Sequence, residues 1–175
     1  MQVDHGVGKT NFVLDMATST IENNNKVLMF SIEESKESIK ERLGKAEEYL
    51  DNKLFVDTTS KPSMNYIEEQ CRKMKQTDGI SLVVIDYIQL VETDDKIHLK
   101  LKELAKELNV TVLVVYMMSG GNTTNEKPSL EDIKDKSLIE IADRVAILHR
   151  VIDDNKTTDK GLEVIIAKSS YDTKE

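Results

Sequence analysis

The segment Val3-Asp4-His5-Gly6-Val7-Gly8-Lys9-Thr10 constrains the fold more than any other part of the chain. It matches the phosphate-loop pattern G-x-x-x-x-G-K-[ST] at every fixed position but the first, where Val3 stands for glycine. Such a loop holds phosphate oxygens on successive backbone N–H groups and on the N-terminus of the helix that follows. Gly6 and Gly8 let the backbone curl close to a ligand without a Cβ in the way. Lys9 then reaches the β- and γ-phosphates and the Thr10 hydroxyl ligates Mg2+, while Val7 and Asn11 complete an ATP-binding set over 6–11. A chance G-x-G-K-T at a helix start is the competing reading. His5 lies inside the turn, although loop histidines are ordinarily just solvated.

Beyond the loop, short apolar runs alternate with amphipathic stretches. Phe12, Val13, Met16 and Ile21 predict a helix over 9–23, and Asn23-Asn24-Asn25 a turn. The run 26–31 reads as a buried strand, and 35–50 as a helix with Ile39, Leu43, Ala46 and Leu50 on one face. A strand over 54–56, a loop over 57–63 and a helix over 66–75 follow. Next come a strand over 82–85 that ends at Asp86, a helix over 98–108, a strand over 111–116 and a loop over 117–128. Late strands over 144–149 and 163–167 flank a hairpin around 153–161. The alternation predicts an α/β fold of three layers, with a mostly parallel central sheet covered on both faces and a C-terminal hairpin.

Two acids qualify as partners of the loop. Asp86 ends Leu82-Val83-Val84-Ile85, where a parallel strand delivers a carboxylate to the mouth of the sheet, and there it can hold Mg2+. Strands also end in Asp simply to form a turn. Glu33 stands just past the strand 26–31, placed to orient and deprotonate an attacking water. Glu34 adjoins it, and the alternative is that both acids cap the next helix.

Composition narrows the partners. At 175 residues, 39% hydrophobic and 32% charged, the chain fits one soluble globular domain spanning 1–175. Cys71 alone can build neither a disulfide framework nor a metal cage. No apolar run approaches membrane-spanning length and no secretory signal opens the chain, which predicts no membrane partner and a cytoplasmic location. A net charge of −8, with arginine only at 42, 72, 144 and 150, argues against a generally adhesive nucleic-acid surface.

Together these segments resemble the C-terminal ATPase domain of the DnaB family of bacterial replicative DNA helicases. The likeness rests on 27–37 around Glu33-Glu34, on Val84-Ile85-Asp86-Tyr87-Ile88-Gln89-Leu90, on 101–110, 127–133 and 139–143, and on Glu163-Val164-Ile165-Ile166-Ala167-Lys168. The resemblance implies a RecA-like P-loop NTPase fold that uses ATP and Mg2+. It further implies Glu33 and Lys9 as catalytic residues, Thr10 and Asp86 at the metal, self-association into a ring, and movement along single-stranded DNA. DNA contact would fall on the loops 119–127 and 134–137, through Lys127, Lys134 and Lys136, or those lysines simply line a solvated face. Lys168 is retained as an inter-subunit candidate.

The chain also departs from the family. Met117 stands where a polar sensor, usually glutamine, is expected, and Ser170 where a trans-acting arginine is expected. The loop 119–126 is short and carries no basic residue. Only three residues are left for the strand entering the phosphate loop, and the family's N-terminal domain is missing, as in a truncated or divergent member. A second reading is therefore a degenerate module that binds nucleotide as a switch without hydrolysing it. A recombinase or clock-type relative is a third, disfavoured by the string over 86–90.

Overall fold

The computed structural model describes residues 8–118, 127–152 and 159–170. The chain divides into two compact units, Thr10–Met117 and Met118–Glu175 with Met1–Lys9. Residues 1–7, 119–126 and 153–158, which include Gly6, Val7, the first expected DNA-facing loop and the hairpin turn, lie outside the described residues.

The first unit is built on four parallel strands: β1 (Val27–Ser31), β2 (Leu54–Asp57), β3 (Leu82–Asp86) and β4 (Thr111–Val114), in the order β2-β1-β3-β4. Every residue of β1 and β3 is buried, as expected of strands covered on both faces. Side chains alternate between those faces. Val27, Met29, Leu82 and Val84 meet Val13, Leu14, Ala17 and Ile21 of α1 (Lys9–Glu22) and Ile39 of α2 (Lys36–Leu43). Leu28, Phe30, Val83 and Ile85 meet Met64, Ile67 and Cys71 of α3 (Met64–Asp78), and Leu101 and Leu104 of α4 (Ile97–Leu108). The result is the expected helix, sheet, helix sandwich. Each large apolar side chain fully buried this way contributes about 1.5–3 kcal/mol relative to exposure.

Strand order has one further consequence. From β1 the chain lays β2 on one side and β3 on the other, so a crevice opens at the carboxyl ends of β1 and β3. Their ends are flush, since Ser31 pairs with Asp86 and the Ile32 N–H donates to the Asp86 carbonyl at 3.0 Å.

Local chemistry moves several boundaries from their expected places. The helix expected over 35–50 ends at Leu43, because Gly44 adopts φ 54 and the chain continues as a 3-10 turn, Gly44–Tyr49. The helix expected over 66–75 starts earlier at Met64, where the Ser63 side chain accepts from the Tyr66 N–H, and runs on to Asp78. β2 runs one residue longer than expected and β4 stops at Val114.

The second unit holds α5 (Lys136–Ile141), β5 (Arg144–Ile152) and β6 (Asp159–Ser169), the strands forming the expected antiparallel pair but longer. α5 falls partly where a loop was expected over 134–137. Its six residues are too few for a periodic signal, and Asp135 caps it by accepting from the Leu138 N–H at 3.1 Å. No helix among the described residues is long and apolar enough to cross a membrane.

Two measurements check this packing. Ile67→Ala, at a fully buried position, should lower unfolding free energy by about 2–5 kcal/mol in chemical denaturation. Burial pushes the Cys71 thiol up to about 12, so a disulfide reagent should leave it unmodified in the native protein and modify it on unfolding. Rapid native-state labelling would show that α3 does not pack on the sheet as described.

Candidate functional site

The crevice at the ends of β1 and β3 is where the sequence-predicted site residues of the first unit gather. Thr10, in the first turn of α1, donates its hydroxyl proton to Asp86 Oδ2 at 3.0 Å across 76 residues of sequence. Asp86 is only 5% exposed, so its carboxylate belongs to the sheet's interior rim. Just ahead of the helix, Gly8 takes φ 82, a conformation that a Cβ would strain, and Lys9 opens α1. The first turn of α1 carries no acidic residue, which leaves the positive end of its dipole available to an anion.

The two adjacent acids after β1 have different surroundings. Glu33 is exposed, and its charge together with that of Asp86 reaches Tyr87. The Tyr87 phenol is raised above its ordinary value, first by burial and then by those two carboxylates. Glu34 is tied down: its Oε2 accepts from Ser38 Oγ at 2.6 Å and from Arg42 Nε at 2.7 Å, and its carbonyl accepts from Ser31 Oγ at 2.9 Å. Burial pushes the Glu34 carboxyl up, but the Arg42 and Ser38 hydrogen bonds, the Arg42 charge and the Thr10 hydroxyl outweigh it and hold the group below its usual value. The alternative that both acids cap α2 does not hold. The cap is Ser35, whose Oγ accepts from the Ser38 N–H at 3.2 Å.

Three contacts here were not singled out from sequence. Arg42 Nη1 donates to Asn11 Oδ1 at 2.9 Å, joining α2 to the first turn of α1. Ser38 and Arg42 lie four residues apart on one face of α2, and Glu34 stands just ahead of its cap Ser35, a signal legible in principle. The Gln89 amide grips the backbone at the expected sensor position, donating to the Met117 carbonyl at 2.7 Å and accepting from the Met117 N–H at 3.2 Å. Nothing local marks that pairing.

Metal chemistry fits the donors present. Thr10 and Asp86 set two hard oxygens side by side, and among the described residues no group of three or more His, Cys, Asp or Glu side chains could hold an ion. Mg2+ suits such a site, since it is usually held by one or two carboxylates together with substrate phosphates and water.

The remaining candidates belong to the second unit. Lys127 pairs with Glu163 at 2.7 Å, and Lys136 donates to the carbonyls of Glu131 and Leu130 at 3.1 and 3.4 Å. Lys134 is exposed. Lys168 donates to the carbonyls of Ile139 and Glu140 at 2.7 and 3.1 Å, at the end of α5 where unpaired carbonyls collect. The Ser170 N–H donates to the Asp143 carbonyl at 2.8 Å.

Comparison with known proteins agrees with this architecture. The family model described as DnaB-like helicase C terminal domain matches residues 41–172. The replicative DNA helicase DnaB of Geobacillus stearothermophilus is 28% identical over 205 residues, covering 93% of this chain and 45% of that protein. The replicative DNA helicase DnaC of Bacillus subtilis (strain 168) is 32% identical over 131 residues, covering 66% of this chain and 29% of that protein. The chain thus spans less than half the length of these curated relatives. Among solved structures, an ATPase domain superposes with a TM-score of 0.80 at 25% identity, covering 95% of this chain and 75% of that one. A DnaB-like replicative helicase, solved in a study of its interactions with primase, superposes at 0.82 with 25% identity, covering 95% of this chain and 52% of that one. The RecA-like fold and the extent of the family match lead to one assignment: this chain belongs to the DnaB-like helicase C-terminal domain family.

Proposed function

We propose that the chain binds Mg2+ and ATP at the crevice between β1 and β3, hydrolyses the nucleotide, and uses the cycle to move along single-stranded DNA as part of a self-associated ring. The observation that carries this reading is the Thr10–Asp86 hydrogen bond of 3.0 Å, which brings the phosphate-loop helix and the acid at the end of β3 to one point. Residues 6–11 cradle the phosphates on backbone N–H groups, with Lys9 neutralising the β- and γ-oxygens. Thr10 and Asp86 hold the metal, directly or through water. Magnesium, when bound, neutralises charge that develops on the transferring phosphoryl group. Exposed Glu33 orients a water and accepts its proton. Lys127, Lys134 and Lys136 are the proposed DNA contacts and Lys168 the inter-subunit candidate. A cytoplasmic location belongs to the same proposal.

The degenerate-switch reading has one specific observation in its favour. At position 117 the backbone is held by Gln89 and the side chain is a thioether, which cannot relay a γ-phosphate state as an amide can.

Steady-state hydrolysis with Mg2+, with and without single-stranded DNA, separates the two. On the motor reading Glu33→Gln lowers kcat by about 10²–10⁴ while nucleotide still binds, and Lys9→Ala abolishes binding. Wild-type binding without turnover, lost in Lys9→Ala, would favour the switch. For the DNA interface, the Lys134→Ala and Lys136→Ala pair should weaken single-strand binding. It should also flatten the log–log salt dependence by about 0.7 for each phosphate no longer neutralised. Unchanged affinity and slope would remove both lysines from the interface.

A further inference from the structure

Arg42 is the last charged side chain of α2, and its guanidinium spans two elements of the site. Nε donates to Glu34 Oε2 at 2.7 Å, the same oxygen that accepts from Ser38 Oγ at 2.6 Å, while Nη1 reaches Asn11 Oδ1 at 2.9 Å. A planar fork can serve two acceptors in fixed directions, which a lysine ammonium on a flexible stem does not reproduce. The side chains of Arg42 and Glu34 are 40% and 17% exposed. Ion pairs of such exposure add little to stability, so the value of this one lies in what it fixes.

Three neighbours depend on it. Asn11 follows Thr10 in the first turn of α1. Glu33 precedes Glu34, so the direction of one acid is set by the anchoring of the other. The Thr10 hydroxyl donates to Asp86 at 3.0 Å, one residue before Asn11. Glu34 is thus held one Arg42 side chain away from the turn of α1 that carries Thr10.

We propose that Arg42 is a positioning residue of the nucleotide site. It pins Glu34 beside α2 and ties Asn11 of α1 to the same guanidinium, which keeps Glu34 off the metal position at Thr10 and Asp86. The inference rests on reading the crevice as a Mg2+ and ATP site. It assigns to α2 a task beyond covering the sheet: the helix sets how many carboxylates the metal meets.

The test compares the full chain with Arg42→Ala, Arg42→Lys, Glu34→Gln and the Arg42→Ala/Glu34→Gln double variant. The primary readout is Mg2+ titration of the binding of a ribose-labelled fluorescent ATP, which needs no turnover. In Arg42→Ala the half-saturating Mg2+ concentration should fall by roughly 5-fold or more, as the freed carboxylate joins the metal position. In the double variant it should return to about the wild-type value, because the carboxylate is gone. Where the chain turns over, kcat of Arg42→Ala should drop on the order of 10–100-fold with KM for ATP nearly unchanged, and Arg42→Lys should recover part of it. A Mg2+ dependence in Arg42→Ala equal to wild type overturns the proposal, as does a shift that survives in the double variant. If Arg42→Ala does not fold, Arg42→Lys with and without Glu34→Gln decides on the same titration. Absence of any wild-type nucleotide binding that Lys9→Ala removes would bring down the site reading itself, and this proposal with it. Binding without turnover counts against hydrolysis alone, and the titration still decides the role of Arg42.

Discussion

A carboxylate taken out of water is costly unless something hydrogen-bonds it, and Asp86 is almost wholly buried at the rim of the sheet. Its place follows from the ladder beneath it. β1 and β3 pair residue for residue from Val27 and Leu82 to Ser31 and Asp86, so both strands stop at one level. The Thr10 hydroxyl comes to that acid from the first turn of α1, a helix held on the sheet by Val13, Leu14, Ala17 and Ile21. A shift of one residue in the register of β3 would turn Asp86 to the opposite face and dissolve the site. Core packing and site geometry in the first unit are therefore one constraint expressed at two depths.

The sheet also sets where polar side chains can sit. Below that rim, the residues of β1 and β3 are apolar and committed alternately to the two helical layers. Polar side chains emerge at the carboxyl ends: Ser31 at the end of β1 with Glu33 and Glu34 beyond it, and Asp86, Tyr87 and Gln89 at and beyond β3. Loops that leave the strands there can vary without disturbing the ladder.

How much of this was legible in the sequence depended on whether the signal was local. The buried strands declared themselves as uninterrupted apolar runs, and Thr10 and Asp86 stood out through motif chemistry alone. Gly44 was visible as a residue, but the apolar spacing of Ile39, Leu43, Ala46 and Leu50 ran straight through it, and its positive φ won. α5 escaped because six residues carry less than two turns of periodicity. The pairings Arg42–Asn11 and Gln89–Met117 join residues 31 and 28 positions apart, and composition at either end says nothing about the other. The basic candidates show the opposite limit. Lys127, Lys136 and Lys168 were legible as charges, but not their engagement with Glu163, with the carbonyls at 130–131 and with the end of α5.

The Gln89 grip on Met117 carries a meaning for how such a chain can change over generations. Because a side-chain amide from elsewhere satisfies both the N–H and the carbonyl of residue 117, the backbone just beyond β4 is secured whatever that residue's own side chain is. Polarity there can vanish without loosening the strand. A chemical duty and an architectural one, which share a single side chain in many enzymes, are here lodged in different residues. Drift at one leaves the other intact, so a molecule of this kind can forget part of a task long before it forgets its shape.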